Sequence, residues 1–288
     1  MIFIGVITAG GFAAFLRARP KWLTRKGRPQ LVSPPLMLVI LAWHLLVTPA
    51  LARLALWLAA APTAGGTLTL RDRALQMTAI QGAAALVIAL WYWLRSMPAE
   101  KEWIAQAQRR PEAVGASSAA ARPVRWWWAV VAAVLGLLLC WPVMQLAAEV
   151  SAAVQEYFTT QAPPTIAHRT LREIAAEPTF DAWMLLLIVV LTVLVPWLEE
   201  TVFRGAIQGC LRGLTTSPWP AIVVTALAFG LMHLNIASLA AVPGLVVFGI
   251  ALGVVYERTG TLLAPVLMHG LFNMVNIALI LLTAIARG

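Results

Sequence analysis

Four polar side chains lie inside long apolar stretches of the sequence: Glu199, His233, His269 and Asn273. Such groups are costly to bury in a membrane and therefore suggest a functional site. A carboxylate beside a histidine can hold and deprotonate a water molecule. A second histidine and an asparagine amide can donate hydrogen bonds to a developing oxyanion. The set suits hydrolysis of a peptide bond by an activated water.

The spacing of neighbouring residues predicts shared helix faces. Glu200 and Arg204 are four residues apart, so they can form an ion pair on one face of a helix. The second histidine and the asparagine are also four apart and can point at one spot. Phe229 lies one turn before His233 and can pack beside it. We interpret these neighbours as structural support for the four polar groups.

The elements that must position these residues are membrane helices. The chain is 61% hydrophobic and only 11% charged, whereas soluble domains are about 45–50% apolar and about 25% charged. This composition excludes a single soluble core and predicts an all-α, polytopic transmembrane helix bundle. The similar depths of the polar groups, counted from the inner ends of their helices, predict a cytoplasm-facing intramembrane cavity. We predict eight spans, with a kink at Pro196 in the fifth. The spans cover residues 1–16, 36–60, 74–94, 126–148, 182–212, 220–237, 241–256 and 261–286.

The distribution of basic residues predicts the orientation of the bundle. With the N-terminus outside, 15 of the 21 Lys and Arg residues fall on the inner side, as the positive-inside rule requires. The net charge of +9 therefore indicates a multi-pass protein of the inner (plasma) membrane, in contact with lipid, and not a nucleic-acid-binding protein. The loop 95–125 is predicted to be cytoplasmic and partly flexible, and the loop 149–181 to lie outside with a surface helix.

Three regions follow from this organisation. We predict N-terminal transmembrane helices over 1–150, an outer loop over 151–181 and a catalytic core over 182–288. Five further residues have simpler interpretations. His44 is read as a hydrogen-bonded helix residue and His168 as a solvated loop residue, and Gly244, Gly249 and Gly253 are read as close-packing sites. Cys140 and Cys210 are expected to be unpaired small hydrophobes.

Three motifs occur in order on successive apolar helices: EExxxR at 199–204, FxxxH at 229–233 and HxxxN at 269–273. They resemble the CPBP family of CAAX prenyl endopeptidases and bacteriocin-processing enzymes, also called the Abi family. The small-residue stretch 248–253 and the turn 256–260 resemble that family as well. The resemblance covers roughly 182–278.

The resemblance implies roles for the individual residues. Glu199 would be the general base, and His233 would be its partner on the attacking water. His269 and Asn273 would stabilise the oxyanion, while Glu200 and Arg204 would form a structural pair. Each of the three motifs is present in full.

The sequence leaves the cofactor and the function class open. The hydrolytic mechanism needs no cofactor, but Glu199, His233, His269 and Asn273 could also ligate a zinc ion with an open position, asparagine being an uncommon zinc ligand. The favoured function is an endopeptidase acting on a peptide or membrane-protein substrate near the cytoplasmic face. The alternatives are a non-hydrolytic immunity or scaffold protein and a proton-relay transporter, for which no inverted repeat is found.

Overall fold

The computed structural model describes residues 32–58, 69–109, 125–176, 180–215 and 217–286. Over these residues the chain is helical, apart from its loops and one isolated antiparallel bridge, which confirms the predicted all-α fold. The first helix, α1, joins Pro34–Ala42 to Thr48–Leu58 through the π-helical turn Trp43–Val47. The others are α2 (Leu70–Arg95), α3 (Pro98–Arg109), α4 (Trp126–Thr159), α5 (Arg169–Ala176), α6 (Ala182–Leu214), α7 (Pro218–Met232), α8 (Val242–Thr259) and α9 (Leu263–Ile285).

Within the described ranges, six helices are long and apolar enough to cross a membrane: α1, α2, α4, α6, α8 and α9. The protein is therefore a multi-pass membrane protein. The predicted span 220–237 is shorter in the structure, because α7 ends at Met232 and continues as the 3₁₀ turn His233–Asn235. Its 15 residues extend about 22 Å, less than the apolar core of a bilayer. The predicted span 1–16 lies outside the described residues, so the count of eight stays a prediction.

Close packing of α4 against α8 and α9 builds the centre of the bundle. A Cβ atom added at Gly136 of α4 would lie 2.9 Å from the side chain of Val255, and one at Gly244 of α8 would lie 2.9 Å from the carbonyl oxygen of Met144. Small residues at such crossings let helices approach closely in a membrane. This confirms the packing role predicted for Gly244. The division of the chain into regions at residue 150 stays a prediction.

The predicted kink in α6 takes the form of a π-helical turn, Val190–Leu194, directly before Pro196. The N–H of Val195 donates to the carbonyl of Val190, five residues back. Pro196 has no N–H to donate. The carbonyl of Leu191 therefore loses its helical donor just before the segment that carries the glutamates.

The two long loops contain more helix than the sequence suggested. The predicted flexible loop 95–125 begins with α3, which docks onto the bundle. Glu100 of α3 accepts hydrogen bonds from the backbone N–H and the hydroxyl of Ser33, and the ring of Trp103 packs against Gly213. In the 149–181 loop, α4 extends to Thr159, and α5 is the predicted surface helix.

Candidate active site

Three of the predicted site residues converge in the structure. One carboxylate oxygen of Glu199, Oε2, lies 3.9 Å from His233 Nε2 and 4.0 Å from His269 Nε2. The side chains of Glu199, His233 and His269 are only 21%, 12% and 5% exposed. Each gap is short enough for one water, placed about 2.8 Å from both atoms, to bridge carboxylate and imidazole.

The position of His233 at the end of α7 fixes which of its ring nitrogens faces the glutamate. Its Nδ1 atom lies 2.7 Å from the carbonyl oxygen of Phe229. A carbonyl can only accept a hydrogen bond, so Nδ1 carries the proton. In the neutral ring, Nε2 then presents a lone pair toward Glu199, where it can accept a hydrogen bond from a water.

His269 is oriented by the other glutamate of the pair. Its Nδ1 atom lies 2.8 Å from Glu200 Oε1, which as a carboxylate oxygen is an acceptor. His269 Nε2 therefore faces Glu199, and it can donate to an oxyanion only when the ring is doubly protonated. Sequence reasoning missed this contact between Glu200 and His269. The only indication of this contact in the sequence was that Glu199 and Glu200 are adjacent. Adjacent residues on a helix point in different directions, so the two carboxylates must have different partners.

Glu200 and Arg204 form the predicted ion pair, and both side chains are completely buried. Arg204 donates from Nη1 to Glu200 Oε1 at 3.0 Å and from Nη2 to the carbonyl of Gly249 at 3.1 Å. Its guanidinium also lies 4.8 Å from the ring centre of Phe229. The pair is thus shielded and ties α6 to α8 directly behind His269.

Asn273 has a different partner from the one predicted. Its Nδ2 atom donates to the carbonyl of Leu191 at 2.8 Å, which is the carbonyl left without a helical donor before Pro196. One turn earlier in α9, Gly270 lies against the carbonyl of Thr192, where an added Cβ would clash. Asn273 therefore pins α9 to the disturbed turn of α6, and the second hydrogen of its amide remains for an oxyanion.

Aromatic rings form one wall of the site. The ring of Phe229 lies 4.6 Å from that of His233 and 5.8 Å from that of His269, measured between centroids. The ring of Phe248, from α8, lies 5.6 Å from His269. The predicted packing of Phe229 beside His233 is confirmed. This wall lowers the local polarity around the polar groups, which strengthens electrostatic interactions among them.

The sequence is similar to a known protein family over part of its length. Residues 181–275 match the family described as type II CAAX prenyl endopeptidase Rce1-like. We call this matching stretch the Rce1-like segment. It covers about a third of the chain and contains all four predicted site residues. No curated protein and no solved structure matches the chain.

The Rce1-like segment contains a second buried polar network that sequence reasoning missed. Gln208 donates from Nε2 to the carbonyl of Gly253 at 3.2 Å and to Glu257 Oε1 at 3.1 Å. Arg212 pairs with the other oxygen of Glu257 at 3.2 Å. The signal was present in the sequence, since α6 has a polar residue at every fourth position from Glu200 to Arg212.

One residue outside the Rce1-like segment also reaches the site. The predicted solvated state of His168 is wrong, because its backbone forms the isolated bridge with Ala237 and its side chain is largely buried. Burial and, to a smaller extent, the neighbouring His233 lower the pKa of His168 to about 4, although Glu199 opposes the shift. His44, the other histidine outside the motifs, has a side chain outside the described part of the chain.

The distances between the site side chains can be compared with those that a zinc ion requires. Among the residues that the structure describes, no group of three or more His, Cys, Asp and Glu side chains converges closely enough to hold a metal. Tetrahedral zinc with bonds of about 2.1 Å places its ligand atoms about 3.4 Å apart, whereas the histidine nitrogens lie 3.9 Å and 4.0 Å from Glu199 Oε2. The residues present do not form a preformed zinc site.

Proposed function

We propose that the protein is an intramembrane endopeptidase in which Glu199 activates a water molecule. The observation that carries the proposal is the approach of two histidine nitrogens to one oxygen of Glu199, inside an apolar bundle and within an Rce1-like segment. Polar groups that serve only as contacts between helices would not need this convergence of Glu199, His233 and His269 on one small space.

The reaction follows from the hydrogen-bond partners. The water oxygen attacks the carbonyl carbon of the peptide, and its proton passes to Glu199. His233 Nε2 accepts the second hydrogen of the water and orients it. The oxyanion is stabilised by the free amide hydrogen of Asn273 and by protonated His269, whose charge Glu200 balances. The C–N bond then breaks, and Glu199 returns the proton to the leaving amine.

The substrate class follows from the setting of the site. A buried site between membrane helices suits a peptide or a protein tail that is held at the membrane. The family description names CAAX prenyl endopeptidases, which makes a peptide with a prenylated CAAX terminus the first substrate to test. We propose that the substrate enters from the cytoplasmic face of the plasma membrane and is cleaved inside the bundle.

The test is cleavage by purified protein in lipid nanodiscs. The peptide set contains a farnesylated CAAX peptide, its unmodified counterpart and several unrelated apolar peptides, and new termini are read by mass spectrometry. Wild type should cleave at least one peptide, and Glu199→Gln should cleave none at a comparable rate. Binding without cleavage by the wild type would instead favour the immunity or scaffold function.

A chelator separates the two mechanisms left open by the sequence. Activity that survives chelation supports the glutamate mechanism proposed here. Activity that is lost on chelation and restored by zinc alone would overturn it, and would mean that the side chains move to ligate a metal.

A further inference from the structure

We infer that His168 is a further residue of the site, and that its imidazole contacts the peptide backbone of the substrate beside Glu199 and His233. The inference rests on the proposed peptidase function and adds a substrate contact to it. His168 lies outside the segment that matches the Rce1-like family. It would therefore be a feature of this chain's outer loop and not of the matched core.

A short backbone clip holds His168 at the site. Arg169 N–H donates to the carbonyl of Ile236 at 2.8 Å, and Ser238 N–H donates to the carbonyl of Ala167 at 3.1 Å. These two bonds flank His168 and Ala237, which face each other as an antiparallel pair. In such a pair both side chains project to the same side. Because Ala237 has only a methyl group, it leaves the imidazole room on that side.

The clip follows directly on a predicted catalytic residue. The carbonyl of His233 accepts hydrogen bonds from the N–H groups of Ile236 and Ala237, at 3.0 Å and 2.7 Å. The turn that begins at His233 thus ends in the clip. On the other side, Arg172 donates to the carbonyls of Ile166 and Ala167 at 2.9 Å and 3.2 Å. His168 is therefore held in place from both sides.

The imidazole of His168 has a polar atom with no partner within the protein. Among the residues that the structure describes, none forms a hydrogen bond with its buried Nδ1 atom. Buried polar atoms are nearly always paired, and an exception calls for an explanation. Both His233 and Glu199 are close enough to affect its ionisation. A peptide bound for hydrolysis at Glu199 would bring its own N–H and carbonyl groups to this position.

A neutral imidazole suits this contact. The low pKa of His168 keeps the ring uncharged at neutral pH, so it neither repels nor attracts the charges of the reaction. It can then form one hydrogen bond to the main chain of a peptide. Such a bond is made equally with the bound substrate and in the transition state, so its loss should raise KM and leave kcat unchanged.

The test compares three variants with the farnesylated CAAX peptide as substrate. His168→Phe keeps a planar ring but removes both nitrogens. His168→Asn places an amide group close to the position of Nδ1. Thr165→Ala is the matched control, because Thr165 is an exposed residue of the same loop. Kinetics give KM and kcat, and binding of the same peptide is measured with each change introduced into Glu199→Gln.

The inference predicts that His168→Phe raises KM and Kd by about 10-fold, the effect of one lost hydrogen bond, with kcat and melting temperature unchanged. His168→Asn should restore most of the affinity, and Thr165→Ala should behave as wild type. Wild-type KM and Kd in His168→Phe would overturn the inference and leave the proposed function intact. A lower melting temperature with unchanged Kd would also overturn it, since that result indicates a structural role. No cleavage by wild type of any peptide in the set used for the proposed function would refute that function and this inference with it.

Discussion

Glu199 and Glu200 are adjacent in sequence, but their side chains have different partners. The Glu199 carboxylate faces the two histidine Nε2 atoms, whereas the Glu200 carboxylate binds His269 Nδ1 and Arg204. In the proposed mechanism one glutamate acts on a water, and the other holds the histidine that acts with it. An ordered residue behind a reacting group commonly sets its orientation in this way.

The first prediction at the residue scale concerns the buried ion pair. Arg204→Ala removes the arginine that pairs with the buried Glu200 carboxylate and leaves His269 as its remaining partner, which should cost about 3–5 kcal/mol of unfolding free energy. The melting temperature in detergent should fall clearly. Arg53→Ala is the control, because Arg53 lies exposed on α1. Equal stability of Arg204→Ala and Arg53→Ala would show that the pair contributes little.

The second prediction separates the two asparagines of α9. Asn273→Ala removes a donor to the oxyanion and the bond to Leu191, and should lower kcat by about 10²–10³-fold. Asn276 lies nearly one turn later and donates to the carbonyl of Phe272 within its own helix. Asn276→Ala should therefore retain wild-type kcat. A similar small effect of both changes would remove Asn273 from the proposed mechanism.

Some contacts of the site could be predicted from the sequence, and others could not. The i,i+4 spacing fixed the pairing of Glu200 with Arg204, because a helix alone brings those side chains together. The contact of Glu200 with His269 joins residues 69 positions apart, and helix packing decides it. The bond from Asn273 to Leu191 likewise depends on a π-helical turn, which no pattern of apolar residues reveals.

At the scale of the elements, the disturbed turn of α6 connects the fold to the site. Pro196 has no N–H, and the π-helical turn before it leaves the Leu191 carbonyl for Asn273. Five residues after Leu194 the helix begins the motif segment with Glu199. The geometry of this turn therefore sets where the carboxylate lies relative to α9. π-Helical turns are often found at functional sites.

The prediction for this element is a change at Pro196. Pro196→Ala restores a backbone N–H and allows a regular α-helical turn, which would shift Glu199 relative to His269. A displacement of about 1 Å in a catalytic group can lower turnover by about 10²-fold. We expect such a loss with no decrease in melting temperature. Pro142→Ala changes another proline inside a long helix, α4; it is the control and should retain activity.

The elements themselves were predictable where hydropathy marks their ends. Spans 74–94, 182–212 and 261–286 match α2, α6 and α9 within a few residues. The end of α7 was missed, because the apolar sequence continues through Leu234 and Ile236 while the backbone turns. Hydropathy indicates whether a segment lies in lipid or in water, but it does not indicate the backbone conformation. The backbone clip at Ala237 could therefore not be predicted.

At the scale of the whole molecule, the orientation of the bundle stays a prediction from the basic residues. Two of the arginines counted on the inner side, Arg204 and Arg212, are buried in ion pairs. They do not report on orientation, but the asymmetry of the loops remains without them. His233 lies about 22 Å along α7 from its start at Pro218. A substrate arriving from the cytoplasm must therefore reach deep into the bundle.

The prediction for the whole molecule is a labelling pattern. In intact cells, a membrane-impermeant maleimide should label Thr165→Cys and should label Ser118→Cys only after permeabilisation. The native cysteines, Cys140 and Cys210, are free and buried, so they should contribute little background. The reverse pattern would invert the orientation. Cleavage by intact cells of a peptide added outside would contradict the proposed cytoplasmic face.

The central claim is that Glu199 acts as the base that activates water, and one measurement tests it most directly. Single-turnover cleavage of the farnesylated CAAX peptide is compared for wild type and Glu199→Gln, together with the Kd of the same peptide. The substitution preserves the shape of the side chain but removes the base. We predict a rate about 10²–10⁴-fold lower with an unchanged Kd and melting temperature. A Glu199→Gln protein that cleaves as fast as wild type would contradict the claim, because the carboxylate would then be only a contact between helices.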